Sequence, residues 1–329
     1  MRQPQVAAAL LTLAAALVLA TPVVLAARTL VVSAAFLAEF LTDGDLPALS
    51  RLTPAPLVDA VDAGTDRYRP GGLAAGAPLV LVHGLTPEGK DDARLQRAAR
   101  LLARAGFDVA VPTIPGLTRG RLRPEDARPV IAALAARPEG ARLVSISVGA
   151  APAFLAAADP AVAARVRMLL ALGAHASALE LIRFHLTGAY AWGTVRGRAA
   201  GHPEVAHALI EANAELADPA LRAALATGEA ARVDAALATL PVSTRRLMEQ
   251  LSPAETVARI RAPIVLVHGR DDAAVPYSES LRLAAARPAH TRVVLVGAIA
   301  HVEGVAAGRG GAGDLLRLLG VVYGLVASR

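Results

Sequence analysis

Three kinds of residue that can act together chemically occur in one order along the chain: a serine, a carboxylate pair and a histidine. Ser147 lies in the segment SISVG, Asp271 and Asp272 in HGRDDAAVP, and His301 in GAIAHVEG. A serine hydroxyl is a weak nucleophile until an imidazole takes its proton, and a carboxylate must hold that imidazole in the correct tautomer. The order serine, acid, histidine is typical of sites in which the nucleophile lies between a strand and a helix.

The segment around Ser147 fits a tight turn from a strand into a helix. The predicted strand Arg142–Val144 precedes it and the apolar stretch Ala150–Ala157 follows. The positions two before and two after the nucleophile must be small, because larger side chains would collide with neighbouring backbone. Gly149 meets this need, whereas Ser145 stands where glycine is usual. Taken alone, the segment also fits an ordinary strand-to-helix turn.

Backbone amides near the nucleophile are the predicted oxyanion donors. Leu85 follows an apolar strand that ends in His83-Gly84, and Val148 follows Ser147 at a helix N-terminus, where the dipole favours a developing anion. Lys90 lies just after this loop. It either faces the substrate and holds an anionic group, or is a surface lysine.

Six other histidines are predicted to play no part in catalysis. His83 is expected to make structural hydrogen bonds. Five are expected to be solvent-exposed: His175, His185, His202, His207 and His290.

Short apolar runs alternate with helical stretches from Ala77 onward, which predicts parallel strands joined by right-handed crossovers. The first crossover helix is expected at Asp92–Ala105, with Asp91 and Asp92 capping its first turn. The six predicted strands are Leu79–Val82, Phe107–Val111, Arg142–Ile146, Val166–Leu172, Ile264–Val267 and Arg292–Val296. A shorter strand is expected around Thr65–Tyr68.

A long segment separates the fourth and fifth of these six strands. It has roughly 90 residues, far more than one crossover requires. Periodic stretches at Glu204–Ala217 and Pro219–Ala226 predict several helices. Inserted above the sheet, they would shape a pocket over the carboxyl ends of the strands.

The N-terminal segment Val6–Ala27 is uncharged and has about the 20 residues that a helix needs to cross a bilayer. We expect an uncleaved anchor, because a secretory signal has a shorter apolar core and a buried helix would show a polar stripe. Positive charge before the segment and acidic residues after it favour an extracytoplasmic catalytic domain. If the segment is cleaved, the protein is secreted. Residues 29–41 are expected to form an interfacial helix.

Composition narrows the possible functions. Of 329 residues, 54% are hydrophobic and 19% charged, which excludes a disordered chain. The absence of cysteine excludes disulfides, thiolate metal sites and a cysteine nucleophile. The net charge of +6 comes from scattered arginines and one lysine, and aromatic residues make up only 3%. Nucleic acid is therefore not an expected partner.

The motifs together resemble the α/β-hydrolase family, in its bacterial esterase, lipase and dienelactone-hydrolase-like branch. The resemblance implies a mostly parallel twisted sheet flanked by helices, and it places the acid at Asp272. Dienelactone hydrolases typically use cysteine, and the family's usual aspartate is Thr113 here. The implied domains are an anchor or signal (1–28), a lead-in (29–76), the hydrolase core (77–174 and 255–329) and a helical cap (175–254).

The resemblance implies a serine hydrolase of hydrophobic carboxylic esters or related acyl compounds, with no metal or organic cofactor. Ser147 would be the nucleophile, His301 the base and Asp272 the acid, and the amides of Leu85 and Val148 would bind the oxyanion. An acyltransferase with the same triad is one alternative. The other is a non-catalytic, membrane-tethered binding protein. The oligomeric state does not follow from the sequence.

Overall fold

The computed structural model describes the backbone of residues 3–72, 75–297, 299–301, 304–305 and 311–329, and the side chains of 21–72, 75–297 and 311–329. Its centre is an eight-stranded sheet with the order β1-β2-β4-β3-β5-β6-β9-β10. The strands of this sheet are β1 (Leu57–Asp62), β2 (Thr65–Arg69), β3 (Ala77–Val82), β4 (Phe107–Pro112), β5 (Ala141–Ile146), β6 (Val166–Leu172), β9 (Ile264–Gly269) and β10 (Thr291–Val296).

Six neighbouring strands of this sheet, from β4 to β10, are parallel. They are the six predicted strands, and their bounds differ from the predicted ones by at most about two residues, within the usual disagreement over element ends. The predicted short strand is β2, which pairs antiparallel with β4. β1 was not predicted. It pairs with β2 at the sheet edge, and its residues are exposed along its whole length.

Helices cover both faces of the sheet. In chain order they are α1 (Gln3–Leu41), α2 (Ala48–Leu52), α3 (Ala93–Arg104), α4 (Pro115–Thr118), α5 (Arg128–Ala135), α6 (Ala150–Ala158), α7 (Ala178–Thr187), α8 (Pro203–Ala212), α9 (Pro219–Leu225), α10 (Ala230–Ala238), α11 (Val242–Gln250), α12 (Ser278–Ala286) and α13 (Ala312–Ala327). One apolar cluster packs α1, α3 and α13 against one face, and a second packs α5, α6 and α12 against the other.

The first crossover helix, α3, is where the sequence predicts it. Asp92 is its N-cap, and its Oδ1 accepts hydrogen bonds from the amides of Arg94 and Leu95 at 2.9 and 3.1 Å. Asp91 lies one residue earlier, in a short 3₁₀ turn, and pairs instead with Lys90. Of the two predicted capping residues, only Asp92 caps this helix.

Between β6 and β9 the chain forms α7 to α11 and a hairpin of β7 (Ala189–Trp192) and β8 (Val195–Arg198). This inserted segment has a small apolar core of its own, which includes Leu186, Ala206 and Val233. The predicted helices correspond to α8 and α9, although α8 ends at Ala212. The hairpin was not predicted.

The N-terminal helix differs from expectation in its continuity. α1 runs without a break through Pro22 and Arg28, so residues 29–41, which the sequence predicts as a separate interfacial helix, are the last third of the same helix. Its stretch Thr21–Leu41 is long and apolar enough to span a membrane or to be a signal sequence. The later part packs on α13 and α3, with Ser33 and Leu37 buried. Residues 21–28 of the same helix are exposed.

Candidate active site

Ser147 lies on the sharp turn between β5 and α6. Its φ is +53°, and Asp43 is the only other described non-glycine residue with a positive φ. A serine in the left-handed region costs of order 1–3 kcal/mol, so the surrounding structure must impose this conformation. Such strain is characteristic of a serine presented at the end of a strand for chemistry.

The turn is held by a close approach between two loops. A Cβ on Gly149 would lie 2.2 Å from the carbonyl oxygen of His83, so only glycine fits there. A Cβ on Gly84 would lie 3.4 Å from Cβ of Ser147. The loop after β3, which carries Leu85, therefore packs directly on the nucleophile turn.

Ser145 occupies the other position where the turn needs a small residue. Its side chain is completely buried, and among the described residues its Oγ has no hydrogen-bond partner. Serine is therefore accepted sterically at this position, while the hydroxyl is left in an unfavourable environment.

His83 holds the loop after β3 in place. Its Nε2 accepts a hydrogen bond from the amide of Ile114 at 2.8 Å, and its Nδ1 lies 2.7 Å from the carbonyl oxygen of Gly84, to which it can donate. Burial lowers the pKa of this imidazole, and the Gly84 carbonyl only partly offsets that effect. His83 is thus a structural residue, as the sequence predicts.

The two adjacent aspartates after β9 have different environments. Asp272 is only 5% exposed, and its Oδ1 accepts hydrogen bonds from the amides of Ala274 and Val275, both at 2.8 Å. Its Oδ2 lies 3.4 Å from Nε2 of His268. Asp271 is exposed. A buried carboxylate held by backbone amides is suited to orienting an imidazole, whereas an exposed one is not.

A single cavity of about 550 Å³ brings these parts together. Ser147, Val148, Leu85 and Asp272 all contribute to its lining. The carboxyl ends of β3, β5 and β9 meet at this edge of the sheet, which is where α/β proteins commonly bind ligands.

The residues that form the sheet and the candidate site match a known protein family. Residues 77–302 match a family described as the alpha/beta hydrolase fold. The chain belongs to this family. Membership supports hydrolase activity. No curated protein matches the chain in sequence.

Solved structures share the alpha/beta hydrolase fold at low sequence identity. A Mycobacterium tuberculosis puromycin-hydrolyzing peptidase is 18% identical, with a TM-score of 0.50, over 86% of this chain and 40% of that one. A 2,6-dihydroxy-pseudo-oxynicotine hydrolase is 16% identical, with a TM-score of 0.51, over 88% of this chain and 77% of that one. At such identities the likeness extends to the fold alone.

The two remaining predicted side chains of the site in this alpha/beta hydrolase are those of His301 and Lys90. His301 ends the short strand β11 (Ile299–His301), which pairs with β12 (Gly304–Val305) and lies near β9; its side chain is outside the described residues. Lys90 does not occur among the described lining residues. Its Nζ lies 2.9 Å from Oδ1 of Asp91 and 3.3 Å from Asp66, and these partners raise its pKa.

Some histidines of this alpha/beta hydrolase are not exposed, contrary to the prediction. His175 is buried, and burial lowers its pKa to about 4 while a hydrogen bond to the Leu251 carbonyl opposes the shift. His185 is also buried, and its Nδ1 accepts from the amide of His202. Both His185 and His202 line the cavity from the inserted segment. No local pattern marks them, because the packing of that segment brings them there.

Proposed function

We propose that the protein is a serine hydrolase that acts on carboxylic esters or related acyl compounds through Ser147, His301 and Asp272. The observation that carries the proposal is the strained, positive-φ conformation of Ser147 on the turn before α6, in the same cavity as the buried Asp272. Family membership supports the hydrolase class, and the difference in burial between Asp271 and Asp272 favours the latter as the acid.

In the proposed reaction, Oγ of Ser147 attacks the acyl carbon while His301 takes its proton. The amides of Leu85 and Val148 stabilise the resulting oxyanion, and the ester C–O bond breaks as His301 returns the proton to the leaving alcohol. Water, deprotonated by His301, then attacks the acyl-enzyme and releases the acid. Asp272 stabilises the imidazolium throughout.

The test is acyl-enzyme formation. With p-nitrophenyl acetate, we expect a burst of nitrophenol and a mass increase of one acetyl group on the peptide containing Ser147. Ser147→Ala should lose both. Ser145→Ala is the matched control, because it removes a hydroxyl two residues away, and it should keep both. Acetylation at another residue, or turnover by Ser147→Ala at the wild-type rate, would exclude the proposed mechanism.

We also propose that α1 tethers the enzyme to a membrane, with the catalytic domain outside the cytoplasm. Support comes from its exposed apolar side chains, among which Val23 and Val24 are 69% and 62% exposed. Lipid would cover such residues favourably, whereas water would not.

The chain contains no cysteine, so a single introduced thiol reports sidedness cleanly. Glu139→Cys lies at an exposed position of the catalytic domain. In intact cells we expect a membrane-impermeant maleimide to label this variant in the membrane fraction. Labelling only after lysis would place the domain inside. Recovery of a shortened chain in the medium would indicate cleavage.

A further inference from the structure

The cavity that contains Ser147 extends well beyond the catalytic edge of the sheet. It continues along the face that α1, α3 and α13 cover. On the sheet side β3, β5, β6 and β9 contribute aliphatic side chains, among them Leu81 and Val144. On the helix side the lining includes Phe40, Leu101 and Val321. The described lining residues from α1, from α13 and from these strands carry no polar side chain.

The polar side chains of the described lining lie in three regions. One is the catalytic region with Ser147 and Asp272, and the second is the inserted segment with His185 and His202. The third is a rim where α1 ends and α3 begins, and there Arg97 donates a 2.7 Å hydrogen bond to Asp43. Both of these side chains are substantially exposed, at 45% and 78%. A ligand that fits this distribution has one polar reacting group and a long apolar body.

The apolar part of the cavity extends away from the catalytic edge of the sheet. Leu325, near the end of α13, lines the cavity. The same helix is followed by Arg329, which donates to the carbonyl of Ala105 just before β4, at the amino ends of the strands. Burial lowers the pKa of Arg329, and the neighbouring Arg28 lowers it further. The apolar part of the cavity therefore reaches from the catalytic edge toward the amino ends of the strands.

Two walls of this cavity are not part of the matched family core. The family match covers residues 77–302, whereas α1 precedes it and α13 follows it. The wall of Phe36 and Phe40, with Val321 and Leu325 facing the same space, therefore lies outside the residues that match the family. The apolar character of this wall affects which substrates the chain accepts, independently of the catalytic residues in the core.

We propose that the cavity is an acyl-chain chamber and that the substrates are carboxylic esters of long-chain fatty acids. The inference rests on the proposed serine hydrolase function. The acyl chain lies between the sheet and α1, α3 and α13, with its carbonyl carbon at Ser147. Acyl transfer to Oγ releases the alcohol with the proton from Ser147, and water then releases the fatty acid. Each methylene group buried in such a chamber raises kcat/KM about fourfold.

The test reduces the volume of the chamber by a substitution and compares ester substrates with acyl chains of different length. Val321→Trp adds bulk to the lining, and Leu316→Trp adds comparable bulk on the same helix at a residue that is 68% exposed. The measured quantity is the ratio of kcat/KM for p-nitrophenyl decanoate to that for the butyrate. We expect Val321→Trp to lower this ratio at least tenfold, the effect of roughly two buried methylene groups. Leu316→Trp should change it less than about twofold.

A second variant and a binding measurement separate the two proposals. Leu325→Ala enlarges the chamber and should move the preferred acyl chain to greater length. The proposal of an acyl-chain chamber would be refuted if Val321→Trp left the decanoate-to-butyrate ratio of kcat/KM unchanged. It would also be refuted if Leu316→Trp changed this ratio equally. If the wild type hydrolyses neither ester, the proposed function fails. The chamber is then tested by the binding of a fluorescent fatty acid to Ser147→Ala. Adding Val321→Trp to this variant must weaken that binding at least tenfold.

Discussion

Replacing Asp272 by asparagine tests the acid with almost no change of shape. The side-chain carbonyl of asparagine can still accept from the amides of Ala274 and Val275, which Oδ1 of Asp272 now does at 2.8 Å each. What is lost is the negative charge that would stabilise the imidazolium of His301. We expect kcat/KM to fall by a factor of roughly 10⁴, about 5.5 kcal/mol, which is typical of this change in a buried triad.

The same change should affect folding much less than catalysis. Two charge-assisted hydrogen bonds become neutral ones, which costs about 1–2 kcal/mol in the free energy of unfolding. The new amide group would also face Nε2 of His268, which lies 3.4 Å from Oδ2 of Asp272 and 2.7 Å from the Val275 carbonyl oxygen. Urea unfolding, followed alongside ester hydrolysis, separates these two effects.

Asp271→Asn is the matched control, because the neighbouring carboxylate is exposed. We expect its kcat/KM to remain within about twofold of the wild-type value, since an exposed charge is well screened by solvent. The assignment is refuted if Asp271→Asn loses activity while Asp272→Asn keeps more than a tenth of it.

Three further predictions concern stability. Ser145→Ala removes a buried hydroxyl that has no described partner, so the free energy of unfolding should rise by about 1 kcal/mol in urea titrations, with esterase activity retained. Burial raises the pKa of Asp92, but hydrogen bonds from the Arg94 side chain and from helix amides lower it more, to about 2. Its stabilising contribution should therefore be present above about pH 3.8 and disappear as the pH falls toward 2. Asp92→Ala should cost about 1 kcal/mol at pH 7, and its pH titration of stability should lack this loss. Burial raises the pKa of Glu279, although amides of Ser177 and Ala176 oppose the shift. Stability should fall as the pH rises above 4.5 through this raised pKa, and Glu279→Gln should remove that part of the pH dependence measured by denaturant unfolding.

The central sheet could be predicted because its strands are buried on both faces. Such strands appear in a sequence as continuous apolar runs, as in β3. The turn at Ser147 was also predictable, since its geometry restricts residue types over only a few positions. β1 shows the limit of this reasoning. Its residues, LVDAVD, are exposed and do not alternate, so only pairing with β2 identifies them as a strand.

The candidate site was predictable where it depends on local pattern and not where it depends on long-range packing. Ser147, Val148, Leu85 and Asp272 lie in one cavity because they follow parallel strands that end at the same edge. The contribution of His185, and the apolar walls from α1 and α13, follow from how separate segments pack together. The division into anchor, lead-in, core and cap stays a prediction.

The most direct test of the central claim is covalent labelling with a fluorophosphonate probe, which reacts with an activated serine. We expect the purified wild-type protein to be labelled on Ser147, and Ser147→Ala and His301→Ala to remain unlabelled under the same conditions. A folded wild-type protein that fails to react while a control esterase does would contradict the assignment of Ser147 as a nucleophile. Equal labelling of Ser147→Ala would contradict it as well.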